Sequence, residues 1–369
     1  MNLILDETAA RIQLPTDSKL ARDRITPAEA RTSDYDEKYD FHTFCYDAFD
    51  VEGAAALVGP PLLNLEPVAN INYDRIARNA LLHIDRRRKV DVIHAEGWSA
   101  GRTFTVDLGG LAFNRTVGRN HRKAFAGRKV ILTMFKFEPL VWLREWIEFN
   151  VRYHGADAAL IYCNDLPHLT PQQVIDGLSD IDGLTTLCVV DFPFPYGPDR
   201  GLWDANFCQF GMLEHARLKY LTEASGVLVG DIDELVITSD HRSAFAILDE
   251  SNEGYLFFGG KFVSTATGEE ATKPVLDRRH RHYCFVSSTV AGAHPFVGTK
   301  WIIAPAKAGS AQWQTHRVSG FATQQLRTDV ELRHFLHIST GWKESRPPAL
   351  HQPEYDTAIA AAYRQVGWE

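Results

Sequence analysis

Long apolar runs are missing from this chain. No stretch reaches the roughly 18 consecutive apolar residues that a membrane-crossing helix needs, so no transmembrane segment is expected. A secretory leader is not expected either. The opening MNLILDETAARIQLPTDSK puts Asp6 and Glu7 where a leader would carry cations and a longer apolar run. Cysteine is scarce: Cys45, Cys163, Cys188, Cys208 and Cys284 are odd in number, scattered and without a C-x-x-C, which suits buried free thiols in a reducing, cytoplasmic setting. Basic excess is also lacking. Lys and Arg total 39 against 47 Asp and Glu, a formal charge of −8, so nucleic acid is not an expected partner. What remains is a chain of 369 residues, 45% hydrophobic and 23% charged, which excludes general disorder and leaves room for two domains.

The texture of the sequence changes along its length. Residues 1–40 show no sustained apolar period and read as an N-terminal arm, with a short helix around Leu20, Ala21 and Ile25. Residues 41–118 hold short β-branched and aromatic runs. Phe104, Val106 and Leu108 alternate with Thr103, Thr105 and Asp107, the period of a half-buried strand, and the region is expected to be a small β-rich domain. Basic residues 119–128 read as its linker to the next domain.

From Lys129 the runs become continuous. KVILTMFK, AALIYCND, LTTLCVVDF and GVLVGDIDEL have the composition of strands buried on both faces. Between them lie helical stretches, one carrying Leu140, Leu143, Ile147 and Val151 on a single stripe and ending near Gly155, another opening at a Thr cap in TPQQVIDGLSDI. The alternation predicts an α/β domain with a mainly parallel sheet and flanking helices over residues 129–346, followed by a tail over 347–369.

Ligands of such sheets bind beyond the strands' carboxyl ends. The fourth strand ends in Asp231-Ile232-Asp233-Glu234. An extended segment would turn Asp231 and Asp233 to one side, where they repel unless a cation or a proton joins them. Mg²⁺ or Mn²⁺ accepts such a set and can hold a diphosphate in its open positions; the alternative is a solvated turn after the strand. Lys136, Asn164 with Asp165, and Asp191 end the other three strands. The loop FPFPYGPDRGLWD after Asp191 reads as a lid or as a packed irregular loop. Farther on, His316 follows a strand-like run beside Arg317, as a candidate metal ligand next to a candidate phosphate partner. His334 and His337 read as phosphate-binding or structural.

Together the segments ILTMFKFEPLVWLREWIEFNVRYHGADAALIYCND, the Gln209 helix, GVLVGDIDELV, THRV and HFLHIST with Lys343 after it resemble the family-92 glycosyltransferases and related family-2-like enzymes of the GT-A fold. The resemblance implies transfer of a sugar from a nucleotide-sugar donor, foremost a UDP-sugar, to an acceptor hydroxyl of a glycan or glycoconjugate, with inversion. It implies a divalent cation held by Asp231, Asp233 and His316. The donor would lie near Lys136, Asn164, Asp165 and Gln209, and Arg317, Lys300 and Lys343 would answer the charge of the leaving diphosphate. Candidates for the proton acceptor are Glu269, Glu270 and Asp277, the last favoured because Lys273 and Arg278 would keep it ionised. By analogy, an acceptor on a lipid carrier would bring the enzyme to the inner membrane surface as a peripheral visitor. The chain departs from the family pattern in having Phe137 after the strand-ending lysine and LPHLT after Asp165. Two alternatives are a transferase-like domain that binds glycan or nucleotide without turnover, and a phosphatase whose first Asp is the nucleophile.

Overall fold

A computed structural model describes residues 1–73, 82–198, 201–265, 273–287, 298–321, 325–342 and 353–368. Eleven strands share one sheet. They are β1 (Asn2–Asp6), β2 (Lys129–Phe135), β3 (Ala158–Cys163), β4 (Thr186–Asp191), β5 (Gly226–Val229), β6 (Glu234–Thr238), β7 (Tyr255–Ser264), β8 (Phe285–Ser287), β9 (Lys300–Ile303), β10 (Leu326–Phe335) and β11 (Glu354–Tyr355). Their order is β1-β4-β3-β2-β5-β9-β7-β8-β11, with β10 pairing both β7 and β6. The first five run parallel. Beyond β5 every pairing is antiparallel except β7 with β10, so the sheet is mixed and not mainly parallel.

The apolar runs became strands because they could be covered on both faces. Ile131 and Leu228 pack on one side with Trp142, Leu143 and Ile147 of helix α1 (Leu140–His154). Helix α2 (Pro171–Leu178), opened by a reciprocal Thr170–Gln173 cap, lies on that side too. Val130 and Leu132 pack on the other side with Met212 and Leu213 of helix α3 (Phe207–Ala216). Gly155 stops α1 in the left-handed conformation, φ 67°, and returns its N–H to the last carbonyls. Because β3 and β4 lie on one side of β2 and β5 on the other, strand order reverses at β2. That leaves a crevice between the carboxyl ends of β2 and β5.

Residues 41–118 carry a four-stranded antiparallel sheet (Asp47–Val51, Ala54–Gly59, Val90–Glu96, Leu82–Arg87) and a three-stranded one (Leu111–Thr116, Thr103–Leu108, Ala69–Tyr73). Leu57, Ile93, Val106 and Leu108 share an apolar core between them. This region sits on α3 so closely that a side chain at Gly211 would strike the Tyr46 ring.

Three expectations about the ends and the linker are corrected. Residues 2–6 are the edge strand of the main sheet, and the stretch around Leu20, Ala21 and Ile25 is not helical; the short helix lies at Tyr35–Lys38. The basic linker holds a helical turn, Arg122–Phe125, with Phe125 fully buried. The C-terminal segment contains a helix, Thr357–Gln365, whose Ile359 and Ala362 join the core beside α1.

An ionic lattice ties the regions together. After α3 the chain makes a π-helical turn, Arg217–Leu221, of the kind that re-aims side chains. There Lys219 bridges Asp6 of β1 (2.5 Å) and Asp47 of the four-stranded sheet (2.6 Å), and His215 Nε2 reaches the same Asp47 at 3.2 Å. Burial disfavours the Asp47 carboxylate, yet Lys219 and His215 hold it below its ordinary pKa.

Candidate functional site

The acidic segment at the end of β5 is a turn and not the extended strand expected. β5 stops at Val229, and Glu234 N–H closes onto the Asp231 carbonyl at 3.0 Å before β6 begins. Each carbonyl of the turn has a partner. That of Ile232 accepts from His280 Nε2 (2.9 Å), that of Asp233 from the Phe335 N–H (2.8 Å), and that of Glu234 from Trp146 Nε1 (2.9 Å). Such full accounting fixes the backbone. Glu145 of α1 sets His280 in turn, through Nδ1 at 2.9 Å. Burial works against the Glu145 carboxylate, but its bonds from His280 keep its pKa low.

The turn separates the two aspartates. Asp231, half-exposed, meets Lys300 Nζ at 2.8 Å. Asp233 meets His334 Nε2 at 3.2 Å. Lys300, fully buried on β9, also holds the buried Glu234 at 2.9 Å. Burial lowers the ammonium's pKa, and the two carboxylates outweigh this and raise it. The Glu234 carboxyl is pushed above its usual range by burial despite Lys300. Asp233, Glu234 and His334 have one ligand atom each within 4.8 Å of one another. Two carboxylates and an imidazole are a donor set that Mn²⁺ or Mg²⁺ accepts. Among the described residues this group converges, whereas the expected trio of Asp231, Asp233 and His316 does not.

Asp231 and His316 instead line a common cavity of about 230 Å³ together with Gln209, Asn206, Thr315 and Lys89. His316 and Arg317 form the tip of a hairpin whose strands are Gln312–Trp313 and Val318–Ser319. His316 Nδ1 donates to the Thr299 carbonyl at 3.1 Å, and exposed Arg317 lies 3.4 Å from Gln314.

Beside the acidic turn stands an aromatic wall. Lys136, at the end of β2, lies 4.3 Å from the Phe137 ring centroid and 5.6 Å from that of Trp342. Its Nζ reaches Asp165 at 3.4 Å. Trp342 packs on Tyr196, whose hydroxyl donates to Gln209 at 2.9 Å. Trp342 Nε1 donates to Glu138 at 3.1 Å, and the Lys136 N–H donates to the same carboxyl at 2.6 Å. Burial, with Asp233 nearby, pushes Glu138 up to about 8.

Other expected residues fall elsewhere. Asn164 is fully buried and donates to the carbonyls of Phe192 (2.7 Å) and Phe194 (2.8 Å), so it clasps the following loop and does not face the crevice. The start of that loop is packed, with both phenylalanines buried, whereas Trp203 near its end is exposed. Asp191 pairs with Arg11 at 3.1 Å. Asp277 is exposed on the turn Val275–Asp277, and the contacts described for it include none to the acidic turn. His337 is buried, its Nε2 3.0 Å from the Ser264 hydroxyl. Glu269, Glu270 and Lys343 lie outside the described residues. Sequence reasoning did not single out Glu145, Trp342 or Lys89, which the fold brings to the turn, the aromatic wall and the cavity.

No protein-family model matches the chain, and no curated protein matches it.

Proposed function

We propose that the chain is a glycosyltransferase that moves a sugar from a nucleotide-diphosphate sugar to an acceptor hydroxyl. One observation carries the reading: a convergent carboxylate–imidazole group stands at the switch point of the sheet, next to a polar cavity. Asp233, Glu234 and His334 would hold a divalent cation, which supplies charge neutralisation for a leaving diphosphate. The cavity is smaller than the roughly 300–1,000 Å³ of sites that enclose a whole drug-sized ligand. That suits the diphosphate end of the donor. The aromatic wall of Phe137, Trp342 and Tyr196 supplies flat surfaces for a base or sugar ring.

Lys300 favours a second reading, binding without transfer, since it already neutralises Asp231 and Glu234. Two measurements separate the readings. Thermal unfolding with UDP or GDP, each with and without Mn²⁺, should show Mn²⁺-dependent stabilisation of about 2.7 kcal/mol at a ligand concentration 100-fold above Kd. Release of nucleoside diphosphate from UDP-sugars, abolished by Asp233→Ala, would establish turnover. Stabilisation without release selects the binder. Neither effect with any nucleotide refutes both.

A further inference from the structure

Lys89 belongs to the β-rich region, yet it lines the cavity that holds Asp231, Gln209 and His316. It sits at the tip of the hairpin joining Leu82–Arg87 to Val90–Glu96, with φ at 63°, a left-handed conformation uncommon for a lysine. The hairpin tip is held in place from both sides. The Arg88 N–H donates to Gln312 Oε1 (3.1 Å), Gln312 Nε2 donates back to the Arg88 carbonyl (2.9 Å), and Arg87 pairs with the buried Glu214 at 3.3 Å. The same Gln312 begins the hairpin that carries His316 and Arg317.

Lys89 as a whole residue is 7% exposed. It packs 5.2 Å from the Phe210 ring centroid and donates to the Ala205 carbonyl at 2.8 Å. One neutral carbonyl is a poor counterpart for a buried cation that has three hydrogens to give. Asp231, the acid among the cavity's lining residues, is already engaged by Lys300, and Asp204, whose charge also acts on Lys89, is engaged by Thr26 and Tyr35. A cavity of this size, polar and with a buried cation on its wall, calls for a compact anion.

We infer that Lys89 is a phosphate-binding residue: the β-rich region completes the donor site, its hairpin lysine contacting the diphosphate of a nucleoside diphosphate. The inference rests on the donor reading above and adds to it a specific residue from outside the α/β region. Burial, helped by Arg88, lowers the lysine's pKa to about 8, the cost that a bound anion would relieve. The β-rich region is then part of the reaction site and not a separate glycan-binding module.

The test is calorimetric titration of the full chain with UDP and with uridine in the presence of Mn²⁺. Wild type, Lys89→Gln, Lys89→Met and Lys89→Arg are compared, with folding checked by circular dichroism. Loss of a charge-assisted contact should weaken UDP about 10- to 100-fold in the Gln and Met variants. Uridine, which has no phosphate, should bind them as it binds wild type, and the Arg variant should retain most of the UDP affinity. Met keeps the stem over Phe210, so it carries the comparison if the Gln variant fails to fold. Unchanged UDP affinity in folded Gln or Met variants overturns the inference and leaves the donor reading standing. Equal losses for UDP and uridine overturn it too, because they mark a structural role. If wild type binds neither UDP nor GDP, the inference falls together with the donor reading.

Discussion

Replacing Lys300 with Met tests the electrostatic logic of the acidic turn. The lysine is fully buried between a half-exposed Asp231 and a buried Glu234. Met matches its stem, so little packing is lost. The two carboxylates then fare differently. Asp231 is exposed enough for water to screen it, and its loss of a partner costs little. Glu234 keeps one hydrogen bond, from the Asp231 N–H at 2.9 Å, and the weaker influence of His334, but loses its ion-pair partner in the interior. Breaking a buried pair in this way costs about 3–5 kcal/mol. Glu234 already has its pKa raised by burial, and removing Lys300 raises it further. A carboxyl whose folded pKa exceeds its unfolded value weakens the fold above that folded pKa, and the penalty fades as pH falls toward the unfolded value. Lys300→Met should therefore be more damaging at pH 8 than at pH 5. Adding Glu234→Gln, which keeps an acceptor for the Asp231 N–H without the charge, should restore most of the loss. Urea unfolding of the single and double variants at both pH values measures this. A single variant as stable as wild type at pH 8, or a double variant no better than the single, would refute the reasoning.

Glu138→Gln removes a carboxyl held at about 8 in the fold, so the variant should gain on wild type as pH rises from 5 to 8, read from melting temperatures across that range. Gly211→Ala should destabilise by about 1–3 kcal/mol in denaturant titrations, because its methyl group overlaps the Tyr46 ring. Lys219→Met leaves Asp6 and Asp47 without their shared cation and should cost about 3–5 kcal/mol at pH 7, by the same measurement. His280→Ala frees the Ile232 carbonyl between the two aspartates; Mn²⁺ affinity, followed by electron paramagnetic resonance, should fall about 10-fold or more, while His337→Ala should leave it unchanged.

The parts of the fold that were legible in the sequence are those whose cause is local. The runs at 130–135 and 158–163 are apolar without alternation because both faces are covered, and composition alone carries that message. Gly155 and the Thr170 cap mark helix ends for equally local reasons. The site is different, because its geometry depends on distant partners. Asp233 meets His334 across 101 positions of chain, and Glu138 meets Trp342 across 204. Neither pairing leaves a periodic trace. The segment Asp231–Glu234 looked extended since alternating Asp, Ile and Asp fits a strand, but its carbonyls are claimed by His280, Phe335 and Trp146 from three other elements, and these bend it into a turn. β1 was overlooked because five residues, the last an acid with another acid after it, show too short a pattern to register.

The position of β1 also governs the order in which the protein can be completed. Its hydrogen-bonding partner is a strand that ends at Asp191, and the counterion of its last residue is Lys219. On the ribosome, residues 2–6 must wait until residues 186–190 are made before their strand partner exists. Contacts of such long sequence separation slow folding. A shortened chain starting at residue 129 would leave β4 with a bare edge and Lys219 buried without either aspartate, so the α/β region is not built to be produced alone.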